Sequence, residues 1–145
     1  MSMVDVTGKE VVYREARARG CIRLRRETIE RIRRGEVEKG DVIQVTKVVA
    51  IQGAKKTWEL LPLCHPIAIT YVGADVDIRD DELCVEVVVR TRERTGVEME
   101  ALTAVALALL NVWDMVKKYE KDEAGQYPYT RIEGISVISK VKKAS

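Results

Sequence analysis

The chain has 145 residues, 46% apolar and 33% charged, with a formal net charge of +2. That balance excludes a disordered chain and fits one domain with its own hydrophobic core. A charge excess this small does not by itself argue for nucleic acid or a membrane surface. The first quarter is nonetheless crowded with arginine, from Arg14, Arg17, Arg19 and Arg23 to Arg31, Arg33 and Arg34. Nucleic acid, an anionic small molecule or an acidic partner surface could each answer such a cluster.

The elements follow in chain order. From Arg14 to Leu24, small and apolar residues alternate with polar ones, which predicts a strand with one buried face. Glu27 to Arg34 reads as a short basic helix stopped at Gly35. Asp41 is a suitable N-cap for a longer helix running to about Leu61, although Val42, Ile43, Val45, Val48, Val49 and Ile51 would also suit a strand. The alternating runs Ile67–Ile78 and Leu83–Arg90, parted by Arg79-Asp80-Asp81, predict an antiparallel hairpin. A helix is expected over Val97–Tyr119, with Leu102, Ala106, Leu109, Trp113 and Val116 facing a core. Its other side carries Ala104, Leu107, Ala108 and Asn111, so it must be covered as well, and a second subunit is the expected cover. A last strand spans Tyr129 to Val141. Interleaved strands and helices of this kind predict an α+β sandwich, ferredoxin-like.

Cys21, Cys64 and Cys84 are odd in number and lack CxxC spacing. The expectation is neither a disulfide framework nor a zinc site, and a reducing interior. The N-terminus has no apolar signal segment, and the longest apolar run, Ala104 to Leu110, is far short of the ~20 residues that span a bilayer. The chain reads as soluble and cytoplasmic, with no membrane partner.

Two segments concentrate groups able to do chemistry. The only histidine lies in Leu61-Pro62-Leu63-Cys64-His65-Pro66, where two prolines stiffen an extended corner. Histidine is the side chain whose ordinary pKa lies nearest neutrality. The long helix opens with Glu98 and Glu100 and carries Asp114, Lys117 and Lys121. Asp114 and Lys117 stand about 60° apart around the helix, and Asp114 and Lys121 about 20°. Such spacing commonly gives solvated ion pairs, but a partly buried Asp–Lys couple can act as base and acid. Glu98 and Glu100 suit the helix dipole, and Glu100 could instead accept from the N–H edge of a guanine-like heterocycle. Cys64 reads as a small buried residue. Lys39, Lys55, Lys56 and Arg14 are either surface cations or anion ligands. No P-loop, GxGxxG, HExxH or metal-ligand cluster is present.

One ordered set of segments runs through Met3-Val4-Asp5-Val6, Arg14-Glu15-Ala16-Arg17-Ala18, Lys39-Gly40-Asp41-Val42 and Lys55-Lys56-Thr57-Trp58-Glu59-Leu60. It continues through Pro62-Leu63-Cys64-His65-Pro66, Thr95-Gly96-Val97-Glu98-Met99-Glu100-Ala101-Leu102-Thr103 and Asp114-Met115-Val116-Lys117. In these segments and their order the chain resembles the cyclic pyranopterin monophosphate synthase family, the molybdenum cofactor biosynthesis protein C group. The resemblance implies conversion of 3′,8-cyclo-7,8-dihydroguanosine triphosphate to cyclic pyranopterin monophosphate with release of pyrophosphate. It also implies no redox cofactor, and a homohexamer built as a trimer of dimers with sites at subunit interfaces. Carried onto this chain, the catalytic residues are Asp114, Lys117 and Lys39, and the substrate-binding residues are Leu63, Cys64, His65, Met99 and Glu100. Lys39, Lys55, Arg14 and Arg17 are candidates to neutralise the phosphates. The family's Gly-Gly-Lys-Ser-Gly ending is replaced by Ser139-Lys140-Val141-Lys142-Lys143-Ala144-Ser145, where Lys140, Lys142 or Lys143 could supply charge differently.

Two other classes of function compete. A nucleic-acid-binding ferredoxin-like module would use the arginines, but the chain has no Phe and only 5% aromatics for base stacking. A non-catalytic nucleotide sensor would be stabilised by its ligand without turning it over.

Overall fold

A computed structural model describes residues 1–144; Ser145, the last residue of the C-terminal segment discussed above, lies outside them. The elements are β1 (Val12–Arg23), α1 (Arg26–Arg34), α2 (Val42–Leu60), β2 (Ile69–Ile78), β3 (Glu82–Glu93), α3 (Glu98–Glu120) and β4 (Arg131–Lys143). The strands form one antiparallel sheet in the order β2-β3-β1-β4, with α2 and α3 layered on one face. This is the expected ferredoxin-like α+β arrangement.

The period-two pattern of β1 sets both sheet faces. Ala16, Ala18 and Ile22 point into the core opposite Val89, Val87 and Leu83 of β3. The outer face is a lattice of ion pairs instead. Arg17 meets Glu86 at 3.5 Å, Arg19 meets Asp77 at 3.4 Å, Arg23 meets Asp81 at 3.3 Å and Arg90 meets Glu15 at 3.0 Å. Much of the early arginine cluster is therefore spent on acidic neighbours.

A disulfide joins Cys21 to Cys84 on that outer face, which corrects the expectation of unpaired cysteines. The two residues are 63 apart in sequence but directly opposite each other in the β1–β3 register. Only strand pairing brings them together, so cysteine spacing along the chain could not reveal the bond. The reducing interior inferred from cysteine spacing loses its support.

In α2 the helical reading prevails over β-propensity. The Asp41 carboxylate accepts from the Gln44 N–H at 3.1 Å, capping the first turn. Val42, Thr46, Ala50, Gly53, Ala54 and Thr57 then recur at helical spacing on the buried side. Gly53 allows close approach to α3, since a Cβ there would lie 3.2 Å from the Ala104 Cα. Leu61, next to Pro62, takes the extended conformation that ends the helix.

The long helix α3 is covered on both sides within one chain. Ala104 and Ala108, expected to face a second subunit, are fully buried because α2 packs beside α3 while the sheet takes the other flank. Asn111, on the same side, donates to the Thr46 hydroxyl of α2 at 3.3 Å. By length and composition α3 could cross a membrane, but half of its apolar stretch is buried, as in a core helix. Exposed apolar residues include Val45, Val48 and Ile51 of α2, Leu110 of α3 and Ile135, Val137 and Ile138 of β4.

Candidate active site

The groups singled out in the sequence gather at the two ends of the antiparallel α2/α3 pair. At one end the chain leaves α1 through Gly35, whose left-handed φ of 68° closes the helix. It buries Val37, turns at Gly40 (φ 124°), and enters α2 at Asp41. Such a φ at Gly40 is one that residues with a Cβ rarely adopt. This short connection sets Lys39 against α3, with its Nζ 3.0 Å from Asp114 Oδ2. Lys117, one turn along α3, places its Nζ 3.2 Å from Asp114 Oδ1.

Each oxygen of the Asp114 carboxylate thus has its own ammonium group. The hydrogen bonds from Lys39 and then Lys117 hold its carboxyl below the usual carboxylate range. The cluster is solvated in the single chain, with the Asp114 side chain 57% exposed, so it is worth little as a stability device. It borders a hollow of about 230 Å³ shared with Glu38, Met115 and Lys118. Lys121 takes no part in it, because the helix has ended there and Lys121 serves as the C-cap.

At the other end, His65, Cys64 and Leu63 line a hollow of about 260 Å³ together with Met99, Glu100 and Glu98. The His65 Nε2–H donates to the Val4 carbonyl at 2.7 Å, a contact that fixes the proton on that nitrogen because a carbonyl can only accept. The N-terminal Met3–Thr7 segment therefore lies across the histidine corner. Glu100 is only 4% exposed, and burial pushes its carboxyl up to about 7. Burial also pushes the Cys64 thiol up, assisted by the nearby Glu100 charge, which disfavours a reactive thiolate there. Burial acts on Glu98 in the same direction, but an ion pair with Lys140 of β4 brings its carboxyl below the ordinary range. That contact gives the C-terminal strand a part in this end of the molecule.

Other sequence candidates fall differently, and Arg14 lies near the Glu100 end, where its charge helps to lower the Glu98 carboxyl. Arg17 lies on the outer face of the sheet, paired with Glu86. Arg14 is buried, and its guanidinium donates to the backbone carbonyls of Glu93 at 3.0 Å and Arg94 at 3.3 Å. It anchors the strand that leads into the Thr95-Gly96 turn. Lys55 and Lys56 lie exposed on α2. Sequence reasoning also passed over Glu120, a fully buried carboxylate that accepts from the Arg25 N–H, the Thr28 hydroxyl and the Thr130 hydroxyl at 2.6 Å. No local pattern distinguishes it from a solvated glutamate at a helix end.

From Glu100 to Asp114 the axis of α3 advances about 21 Å. Within one chain the two ends are thus separate hollows on a shared scaffold. Fold and site together define a ferredoxin-like α+β protein with acid–base groups at both ends of one helix pair. A family model described as the MoaC family matches residues 3–143. A Sulfolobus acidocaldarius protein named probable cyclic pyranopterin monophosphate synthase is 58% identical over 140 residues, covering 97% of this chain and 98% of its own length. A Pyrococcus abyssi protein of the same name is 52% identical over 145 residues, 100% of this chain and 91% of its own. A Methanothermobacter thermautotrophicus protein, 51% identical over 140 residues covering 97% and 88%, is named a probable accessory protein of that synthase. The chain belongs to the MoaC family and is an enzyme.

Proposed function

We propose that the chain acts as a lyase in molybdenum cofactor biosynthesis. It converts (8S)-3′,8-cyclo-7,8-dihydroguanosine 5′-triphosphate to cyclic pyranopterin monophosphate and releases pyrophosphate. The observation that carries this reading is the Asp114 carboxylate held between Lys39 and Lys117 at 3.0 and 3.2 Å. Opening and re-closing the guanine-derived ring requires several proton transfers, and a carboxylate with two ammonium partners can accept and return protons along such a sequence. The same two lysines offset negative charge as pyrophosphate departs. Glu100 and His65, with Leu63, Cys64 and Met99, hold the heterocycle. A carboxyl raised to about 7 can present either protonation state to the heterocycle's polar edge near neutral pH.

With the ends so far apart along α3, the complete site joins the Glu100 end of one protomer to the Asp114 end of another. The assembly is a homohexamer, a trimer of dimers, in which residues 1–145 act as one synthase-like domain. The exposed apolar residues of α2 and β4 support such contacts. No nucleic-acid or membrane role is assigned, since Arg17, Arg19 and Arg23 are taken up by acidic neighbours. The proposed location is cytoplasmic.

The test is incubation of the purified chain with the cyclised GTP intermediate, followed by assays for pyrophosphate and for oxidised pterin fluorescence. Both products should form together. Absence of pterin under conditions where ligand binds would refute the reading. Turnover only after a second protein is added would instead favour the accessory role for which the Methanothermobacter relative is named.

A further inference from the structure

We infer that Tyr119 is a positioning residue for the reaction, setting Lys39 against Asp114 through the backbone of the α1–α2 connection. The inference rests on the functional reading above and adds a residue to its machinery. The Tyr119 hydroxyl accepts a hydrogen bond from the backbone N–H of Glu38 at 3.0 Å, and Glu38 immediately precedes Lys39. The ring packs against the core on one side and carries the Arg31 guanidinium 4.5 Å from its centroid. A ring held from two directions has little freedom to withdraw its hydroxyl.

The geometry gives this single bond its importance. Asp114 and Tyr119 are five residues apart on α3, about 7.5 Å along a rigid axis. One helix therefore supplies both the carboxylate that Lys39 meets and the hydroxyl that fixes the adjacent peptide. Lys39 itself sits on an exposed connection whose next residue, Gly40, has the conformational freedom of its type. On the Lys39 side of that glycine, a turn bond from the Gly40 N–H to the Val37 carbonyl at 3.1 Å closes the connection on itself, while the buried Val37 and the Tyr119–Glu38 bond tie it to the rest of the fold. The Lys118–Glu38 pair adds an exposed side-chain contact, which long solvated side chains hold only loosely. Reaction geometry tolerates little displacement of an acid–base group, so loosening this peptide lowers the rate without removing any group that touches substrate.

Tyr119→Phe deletes the hydroxyl and keeps the ring, its core packing and the Arg31 contact. Two measurements on the full-length protein test the inference. The first needs no substrate: the Asp114 side-chain carboxyl is titrated by ¹³C NMR in the wild-type, Tyr119→Phe and Lys39→Ala proteins. Tyr119→Phe should move the Asp114 midpoint upward, part of the way to its position in Lys39→Ala. An unchanged midpoint overturns the inference whether or not the chain turns over the cyclised nucleotide. The second is steady-state turnover. Tyr119→Phe should lower kcat about tenfold with KM little changed, and should cost nothing further in a Lys39→Ala background. An equal loss in both backgrounds would mean that Tyr119 acts elsewhere, and it overturns the inference. A wild-type chain that makes no pterin counts against the functional reading instead, and the titration then decides whether Tyr119 positions Lys39.

Discussion

The two ends of the α2/α3 pair carry the same kind of acid in opposite surroundings. Asp114 is exposed and flanked by two ammonium groups, and its carboxyl lies below the usual range. Among the described residues Glu100 is buried without a cationic partner, and its carboxyl is raised to about 7. The contrast shows how one fold prepares two protonation states at the same pH. Charge partners keep one carboxylate ionised, and removal of water leaves the other poised between forms.

The largest expected effect falls at the solvated end. Asp114→Asn keeps the size of the side chain but removes the charge that both lysines meet. Turnover should fall by about 10²- to 10⁴-fold while substrate binding persists, as judged by pterin fluorescence and isothermal titration. Near-normal turnover would end the assignment of Asp114 to the chemistry.

The next test asks whether the two ends combine across subunits. Asp114→Asn and Glu100→Gln proteins, each weakly active alone, would be dissociated, mixed in equal amounts and reassembled. Half the subunits then carry an intact Asp114 end and the other half an intact Glu100 end. About a quarter of the composite sites should be fully wild-type, and the mixture should recover about a quarter of the wild-type rate. No recovery on mixing would place both ends of a site in one chain or disconnect them altogether.

Stability probes sharpen the contrast further. Cys21→Ser opens a covalent link across 63 residues and should cost about 2–4 kcal/mol, lowering Tm by roughly 5–15 °C in non-reducing buffer. Because the disulfide lies on the sheet's outer face, kcat at moderate temperature should not change. A changed kcat would show that the two ends depend on the back of the sheet.

The smallest effect is a pH dependence at Glu100. Its folded pKa, about 7, lies above its ordinary value of 4.5. Between those values the folded chain keeps a proton that the unfolded chain has released, so this group's contribution to stability falls as pH rises through the window and levels off above it. Glu100→Gln should flatten that slope and leave the protein more stable at pH 8 by roughly 1–3 kcal/mol, measured by denaturant unfolding. An unchanged slope would mean that the carboxyl is better hydrated or better paired than its 4% exposure suggests.

Much of this was legible before any coordinates. Alternation in β1 and the helical spacing in α3 are consequences of which side chains must leave water, and each places its element within two residues of the observed ends. Asp41 and the Leu61-Pro62 pair act through their immediate neighbours, so the limits of α2 were readable as well. Residues one helical turn apart, such as Asp114 and Lys117, were also predictable neighbours. By contrast, the place of Lys39 in the cluster came only from the family resemblance, because 75 residues separate it from Asp114.

The sequence by itself determined the order of the elements, the buried face of β1 and the chemistry available at each end of the helix pair. Tertiary structure decided which distant residues meet: Cys21 with Cys84, Lys39 with Asp114, Tyr119 with Glu38, and α2 as the inner cover of α3. The physical reason is range. Periodicity, capping and turn chemistry act over a few residues of chain, whereas these contacts exist only once strand register and helix packing have closed the intervening loops.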